Sequence, residues 1–147
     1  MKIDKTIVII RGLPGSGKSS IGRIFTDKVR AADDYFMQNG EYVFNPKLLP
    51  QAHKQCFDNV SSDLASKGLA VVANTFTMRW EMEPYLRLAN DAGARVVVID
   101  TFDAGKTDKE LAQINEHGVP EEAIKAMRAR YEHDWRNGDP RPPWERK

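Results

Sequence analysis

Apolar runs alternate with amphipathic stretches along this chain, and the alternation predicts strands separated by helices. The run TIVIIR at residues 6–11 is almost continuously apolar, which is typical of a strand buried on both faces of a sheet. Three further strands are predicted at residues 29–33, 69–74 and 95–101. Strands joined by helices favour a parallel sheet with helices on both faces, and such sheets bind ligands at the carboxyl ends of their strands.

Apolar residues recur at helical spacing between and after these strands. Helices are predicted at residues 19–28, 50–67, 83–92 and 120–135. The polar stretch 106–118 is expected to be mobile, and the proline-rich segment 136–147 to be extended or disordered unless it docks. We therefore expect one α/β domain at residues 1–135, a three-layer sandwich with a short, mostly parallel sheet, followed by a tail.

Composition narrows the class of protein only modestly. A chain of 147 residues suits one compact domain, and a net charge of +1 provides no broad field for a long nucleic-acid or membrane surface. The single Cys56 excludes an internal disulfide and a thiolate metal cluster, which favours a reducing compartment. No apolar stretch has the length of a membrane span, and no signal peptide is evident. We expect a cytoplasmic protein with no membrane partner.

The segment RGLPGSGKSS follows directly on the first strand and contains a complete phosphate-binding loop pattern, G-x-x-x-x-G-K-S, starting at Gly12. Gly15 and Gly17 can adopt backbone angles that turn successive N–H groups inward around an anion. The helix that follows adds its positive N-terminal end. The pattern predicts that ATP is bound by Leu13, Pro14, Gly15, Ser16, Gly17, Lys18, Ser19 and Ser20.

Four polar side chains extend this site. Lys18 is expected to supply charge to the outer phosphates, and Ser19 a hydroxyl ligand for Mg²⁺. The second strand ends in AADDYF, which places Asp33 and Asp34 near the loop. Adjacent carboxylates in an extended segment point in opposite directions, so only one faces the nucleotide. That carboxylate either accepts a proton from an attacking hydroxyl or holds a water of the Mg²⁺ shell; the alternative is a helix or turn cap.

The chain contains, in this order, the segments GLPGSGKSS, ADDYF, GEYVFNPKLLPQAHKQC, VVANTFTMRWEMEPYLRLA and HGVPEEAIKAMRARYEH. This series resembles the kinase-like P-loop domain of a ubiquitin-ligase-binding protein family, a domain of the AAA-type ATPase or zeta-toxin-like kind. It is more distantly similar to the kinase domain of phage polynucleotide kinase. The resemblance covers residues 6–134 and implies a P-loop NTPase-type fold with a helical lid at about residues 106–130.

The same resemblance implies transfer of the ATP γ-phosphate to a polynucleotide 5′-hydroxyl or a related alcohol, with Asp33 as the general base. The chain departs from the family at Ala73, where relatives usually carry an aspartate, and at Ile114, where they carry a lid arginine. We expect the metal to be held by Ser19 with Asp34 or Asp100. Charge in the transition state would then be stabilised by Lys125, Arg128 or Arg130, and a lid without such a cation would give a slow enzyme.

Several aromatic residues and histidines near this site have both a structural and a functional interpretation. Phe36 and Phe76 replace polar residues of the relatives, and they are either stacking platforms for a base or ordinary core residues. His53 either contacts substrate or caps a hydrogen-bond network, and His117 is expected to be a turn residue at the lid hinge. The histidines are too dispersed along the chain to predict a zinc site.

The leading hypothesis is an ATP- and Mg²⁺-dependent kinase whose acceptor is a single-stranded nucleic acid end, a nucleoside or a modified base. A small-metabolite kinase is the competing enzyme hypothesis. A third hypothesis, from a different functional class, is a nucleotide-binding switch or adaptor. The polar residues that this chain lacks relative to the family would then indicate lost catalysis. Formation of ADP that rises with added acceptor would separate an enzyme from a switch.

Overall fold

The computed structural model describes residues 4–147. Within them the strands are β1 (Thr6–Gly12), β2 (Val29–Arg30), β3 (Met37–Gln38), β4 (Glu41–Tyr42), β5 (Leu69–Asn74) and β6 (Arg95–Phe102). The helices are α1 (Lys18–Phe25), α2 (Leu49–Lys67), α3 (Arg79–Ala92), α4 (Asp108–Ile114) and α5 (Glu121–Arg130). The predicted alternation of strands and helices is thus confirmed, with one further helix and one short hairpin.

The central sheet is parallel and has the strand order β2-β5-β1-β6, while β3 and β4 form a separate antiparallel hairpin. In the central strand Arg11 lies opposite Asn74 on one side and Asp100 on the other. The carboxyl ends of β1, β5 and β6 therefore meet at one edge, where parallel sheets bind their ligands.

Helices cover both faces of the sheet, as predicted for a three-layer α/β sandwich. Alternate residues of β1 and β5 pack on one face against α2 and α3, in a core centred on Ile7, Ile9 and Val72. The opposite residues, among them Val8 and Ile10, pack against α1. This alternation is the reason that β1 is apolar at nearly every position.

The second strand is shorter than predicted. It ends at Arg30, and a 3-10 helix follows at Ala32–Phe36. The N–H of Ala31 donates to Asp34 Oδ2 at 3.2 Å, and the N–H of Ala32 donates to Asn74 Oδ1 at 2.9 Å. Because side chains satisfy these two N–H groups, the strand ladder ends before Asp33.

The stretch 106–118, expected to be mobile, contains α4. Thr107 and Glu110 form a capping box, in which the Glu110 N–H donates to Thr107 Oγ1 at 3.2 Å. Leu111 on this helix is buried with Ile124 of α5, Tyr131 and Leu13 of the phosphate-binding loop. The lid consequently has its own small core, which includes a residue of the loop that it covers.

Two helix boundaries differ by four or more residues from the sequence prediction, and helix α1 ends three residues earlier than predicted. Helix α3 begins at Arg79, four residues earlier than expected, because the Glu81 carboxylate accepts the Met78 N–H at 3.1 Å. Helix α5 ends at Arg130 rather than continuing to residue 135, because the Glu132 N–H donates to the carbonyl of Thr77 at 2.7 Å. That hydrogen bond ties the end of the lid to the loop after β5.

The C-terminal tail is docked on α3. Arg79 Nη1 donates to the carbonyl of Arg136 at 2.6 Å, and Arg146 Nη2 donates to the carbonyl of Asp139 at 2.8 Å. The ring of Trp144 packs edge-on against Trp80 at a centroid distance of 5.5 Å, although Trp144 remains 76% exposed. None of the helices within residues 4–147 has both the length and the apolar character needed to span a membrane.

A fully buried guanidinium joins the elements that meet at the sheet edge. Arg11 donates to the carbonyls of Phe76 at 3.0 Å, Thr77 at 3.1 Å and Glu132 at 2.8 Å. It also forms an ion pair with Asp100 at 3.2 Å. Since a buried charge is tolerated only when it is fully paired, this arrangement fixes the loop after β5 and the end of the lid relative to β1.

We expect Arg11→Met to lower the free energy of unfolding by about 3 kcal/mol, because two buried carbonyls and one part-buried carbonyl lose their donor and Asp100 loses its partner. Asp100→Asn keeps a polar group at a partly exposed position and should cost about 1 kcal/mol or less. Urea denaturation followed by circular dichroism measures both. An equal, small loss in the two variants would contradict this role for Arg11.

Candidate active site

The phosphate-binding loop connects β1 to α1, and its shape depends on glycine. Gly15 and Gly17 adopt left-handed backbone angles, with φ of 84° and 89°. L side chains are strained in this region, so glycine is the residue that allows the loop to curl. Helix α1 begins at Lys18, immediately after the curl, and leaves its first N–H groups free for an anion.

The end of β6 supports the base of this loop. Thr101 Oγ1 donates to the carbonyl of Arg11 at 3.0 Å and lies 2.7 Å from Ser16 Oγ. A Cβ atom at Gly12 would collide with Thr101 Oγ1, so the first glycine of the motif allows β6 to approach. Sequence analysis missed Thr101, because a threonine at a strand end carries no distinctive signal.

The Lys18 ammonium group lies over the loop. Its Nζ donates to the carbonyls of Gly12 at 2.9 Å and Leu13 at 3.0 Å. Burial lowers the pKa of Lys18 to about 8, and the nearby Asp33 carboxylate partly opposes this effect. The Asp33 carboxylate thus acts on the charge of Lys18, and a shared catalytic site for the two residues stays a prediction.

The Asp33 carboxylate is held by two aromatic side chains. Tyr42 Oη on β4 donates to Asp33 Oδ1 at 2.7 Å, and His117 Nε2 lies 3.8 Å from Asp33 Oδ2. The rings of Tyr42 and His117 are stacked at 4.1 Å. The Asp33 carboxylate raises the pKa of Tyr42, in addition to the effect of burial, so the phenol remains a hydrogen-bond donor. Asp33 is therefore fixed in orientation, which a general base requires.

Asp34, by contrast, has a local structural contact. Its carboxylate accepts the N–H of Ala31 at the start of the 3-10 helix. Burial raises the pKa of Asp34, and the neighbouring Asp33 carboxylate adds to this rise. Of the interpretations given above for the adjacent carboxylates, a cap fits Asp34, whereas general-base chemistry at Asp33 stays a prediction.

The predicted metal ligands are not brought together into a cluster. Among residues 4–147 no group of three or more His, Cys, Asp or Glu side chains is arranged to hold a metal ion. Asp100 Oδ1 accepts from Tyr131 Oη at 2.7 Å, and Oδ2 is paired with Arg11. Ser19 lies exposed in the first turn of α1. A Mg²⁺ ion held by Ser19 and phosphate oxygens is compatible with these donors, whereas ligation by Asp34 or Asp100 stays a prediction.

The cations proposed for the lid have different surroundings. Arg128 forms ion pairs at 2.7 Å with both Asp103 and Asp108, and Arg130 donates to Thr77 Oγ1 at 3.3 Å. Lys125 is exposed on α5. The contacts of Arg128 thus stabilise the lid itself, and its role in charge stabilisation stays a prediction, as do those of Arg130 and Lys125.

The lid residue that lies against the phosphate-binding loop is apolar. A Cβ atom at Gly15 would lie 3.1 Å from Ile114 Cγ1 and 3.4 Å from the Asn115 nitrogen. Ile114 is 51% exposed at the end of α4. The position at which the resemblance implies an arginine is therefore next to the loop.

The two phenylalanines belong to the core. Phe36 is 1% and Phe76 is 4% exposed, and both are in the large cluster between the sheet, α2 and α3. Of the two interpretations given above, packing therefore fits both residues, and stacking on an accessible base is wrong for Phe36. The expected turn position of His117 holds, but its contact with Asp33 was not foreseen, because the two residues are far apart in sequence.

Comparisons with known proteins show the family of this chain. The family described as AAA domain matches residues 7–133. The human protein NEDD4-binding protein 2 is 36% identical over 140 residues, which is 86% of this chain but 8% of that protein. The chain thus spans only a small part of that relative's length.

Solved structures show the fold. A chain in the structure of the Pnkp1/Rnl/Hen1 RNA repair complex has a TM-score of 0.65 and 19% identity, covering 89% of this chain and 45% of that one. A gluconokinase from Sinorhizobium meliloti 1021 has a TM-score of 0.52 and 16% identity, covering 97% and 80%. The predicted P-loop kinase-like α/β fold is confirmed.

The lowered pKa of Lys18 predicts that nucleotide affinity depends on pH. The free protein loses the ammonium proton at about pH 8, whereas bound phosphate favours the charged form and holds it to higher pH. Affinity should therefore be constant below pH 8 and weaken by roughly tenfold per pH unit above it.

Titration with a fluorescent ATP analogue across this range measures the effect. Lys18→Arg is the matched control, since arginine stays charged and should remove the pH dependence. An affinity of the wild-type protein that does not change between neutral pH and pH 9 would contradict the prediction.

Proposed function

We propose, because the chain belongs to the AAA domain family, that it is a P-loop kinase that transfers the γ-phosphate of ATP to a hydroxyl group. The observation that carries the proposal is the position of Asp33, a carboxylate that Tyr42 holds through a hydrogen bond of 2.7 Å and whose charge acts on the Lys18 ammonium of the phosphate-binding loop. A base next to a phosphate site is the minimum that a kinase with an alcohol acceptor needs.

In the proposed reaction, phosphate binding, metal binding and proton transfer fall to different residues. The loop N–H groups and Lys18 bind the phosphates, and Ser19 supplies a hydroxyl to Mg²⁺, which neutralises phosphate charge when bound. Asp33 accepts the proton of the acceptor hydroxyl as its oxygen attacks the γ-phosphorus, and ADP leaves with the electrons of the broken bond. Tyr42 occupies Oδ1 of Asp33, and the proton goes to Oδ2, which lies 3.8 Å from His117 Nε2.

For the acceptor we propose a single-stranded nucleic acid end or a nucleoside. A net charge of +1 suits a short acceptor held at its end better than a long duplex, which requires many Lys and Arg contacts. The sequence resemblance to polynucleotide kinase supports the same class. We place this reaction in the cytoplasm, consistent with the reduced Cys56 thiol buried beneath Tyr85.

A nucleotide-binding switch or adaptor is the second candidate, and the contact of Ile114 with Gly15 favours it. An apolar side chain at that position gives no charge stabilisation to the transferring phosphoryl group. A protein of this kind would bind and release nucleotide with slow turnover.

Transfer of label from γ-labelled ATP to a panel of acceptors tests the proposal. RNA and DNA single strands with 5′-hydroxyl ends, nucleosides and sugars form the panel, and ADP release is measured with and without each acceptor. Labelled product from strands or nucleosides supports the proposed kinase. Labelled sugar alone supports a metabolite kinase, and ADP release that no acceptor increases supports the switch.

Asp33→Asn should lower the rate of phosphoryl transfer by roughly two to four powers of ten while ATP affinity stays within a few fold, because only the proton acceptor is lost. Asp34→Asn is the matched control at the neighbouring carboxylate, and it should cost less than tenfold since Asp34 acts as a local cap. Single-turnover rates and ATP binding measure both. A larger rate loss in Asp34→Asn would reverse the assignment of the base.

Ile114→Arg should raise the transfer rate by about tenfold or more, because it places a cation next to the loop, where an arginine stabilises charge in the transition state. Gln113→Arg adds the same charge at the preceding exposed position of α4 and is expected to change the rate less than twofold. Rates at saturating ATP make the comparison. Equal rates in Ile114→Arg and the wild type would show that the apolar residue is not what limits catalysis.

A further inference from the structure

A cavity of about 370 Å³ lies beyond the end of β5, between α2 and α3. Its size falls in the range of sites that bind small molecules. Most of its wall is apolar and flat, formed by Phe57, Phe76, Trp80, Pro84 and Tyr85. The edge of the wall carries polar groups from His53, Lys54, Asn74, Thr75 and Glu81.

Hydrogen bonds connect the wall of this cavity to the phosphate-binding loop and to the segment that carries Asp33. The carbonyl of Thr75, which lines the cavity, accepts the N–H of Gly12 at the start of the phosphate-binding loop at 3.2 Å. The side chain of Asn74 accepts the N–H of Ala32 at 2.9 Å, next to Asp33 in the chain. The wall of the cavity is therefore hydrogen-bonded to the start of the loop and to the residue that precedes the proposed base.

The charged groups at the cavity are already paired. Lys54 Nζ donates to Asp58 Oδ2 at 2.7 Å, and Glu81 accepts from Thr77 Oγ1 at 3.0 Å and from the Met78 N–H. A sugar acid or a phosphate requires free cations for its own charge. The paired charges therefore favour an uncharged occupant.

The side chains of the wall indicate what kind of molecule fits the cavity. The aromatic rings of Phe57, Trp80 and Tyr85 offer faces on which a planar ring can stack. Asn74 and Thr75 at the edge carry polar groups that can pair with nitrogen or oxygen atoms on the rim of such a ring. A flat, uncharged ring with polar atoms on its edge therefore matches this lining.

We infer that this cavity binds the base of the acceptor nucleoside. The inference rests on the proposed function and specifies it, since a base held here brings its sugar hydroxyls toward Asp33 and the phosphate-binding loop. Aromatic side chains bind bases of any sequence by stacking, so the site recognises a nucleobase as a class. Sugars without a base would lack the contact that holds them.

Direct binding, measured without turnover, tests the inference. The probe is adenosine, titrated by calorimetry into protein whose phosphate-binding loop is saturated with a non-hydrolysable ATP analogue, and ribose is the comparison without a base. Adenosine should bind at least tenfold more tightly than ribose. Equal affinity for the two would overturn the inference.

Two matched variants localise that binding. His53→Trp adds a large side chain at an exposed position that lines the cavity, and Gln55→Trp adds the same side chain at an exposed position of α2 outside the wall. We expect His53→Trp to weaken adenosine binding at least tenfold, Gln55→Trp less than twofold, and neither to change affinity for the ATP analogue. Adenosine binding that is unaltered in His53→Trp would place the base elsewhere and overturn the inference.

Trp80→Leu keeps an apolar side chain and removes the aromatic face. It should weaken adenosine binding at least fivefold, since stacking of a base on an aromatic ring contributes roughly 1 kcal/mol or more, with an unchanged unfolding midpoint as the control for folding. An unchanged affinity would contradict the role given to the ring. The two proposals fail separately: adenosine binding without any phosphoryl transfer removes the kinase, whereas transfer to sugars without adenosine binding removes the base site.

Discussion

The structure depends on one buried cation, the guanidinium of Arg11. It lies at the end of the central strand, where β1 gives way to the phosphate-binding loop, and its donors are used by carbonyls of Phe76, Thr77 and Glu132. These carbonyls belong to the loop after β5 and to the segment after the lid. The face of the guanidinium also contacts the Tyr131 ring, with its carbon 4.2 Å from the ring centroid. A single side chain thus holds three distant parts of the sequence at the edge where chemistry is proposed.

The lid and the loop are linked in a second way. Leu13 is buried in the core of the lid, and its N–H donates to the carbonyl of Phe102 at 2.7 Å. Its position in the motif is therefore set by packing as well as by phosphate geometry. Any movement of α4 and α5 changes the surroundings of Leu13, so lid position and loop conformation are mechanically coupled.

Local patterns in the sequence were sufficient to predict the central sheet and the phosphate-binding loop. Continuous apolar character identified β1, and glycine spacing identified the loop, because both depend on neighbouring residues. The contacts of Arg11 were not predictable, since its partners lie 65 to 121 positions away in the chain. The same holds for His117 and Asp33. Helix α4 was missed because it buries one residue, Leu111, and so has almost no apolar periodicity.

The turn after α4 contacts the candidate site at two places, one next to the phosphate-binding loop and one next to Asp33. Ile114 at the end of α4 lies against Gly15, while His117, three residues later, lies against Asp33 and the Tyr42 ring. One short turn therefore contacts the phosphate side and the base side of the site together. On the phosphate side it offers no charge, and on the base side it offers an imidazole. In the proposed kinase, this arrangement would orient the base better than it would stabilise the transferring phosphoryl group, so positioning of the acceptor would have to supply much of the rate.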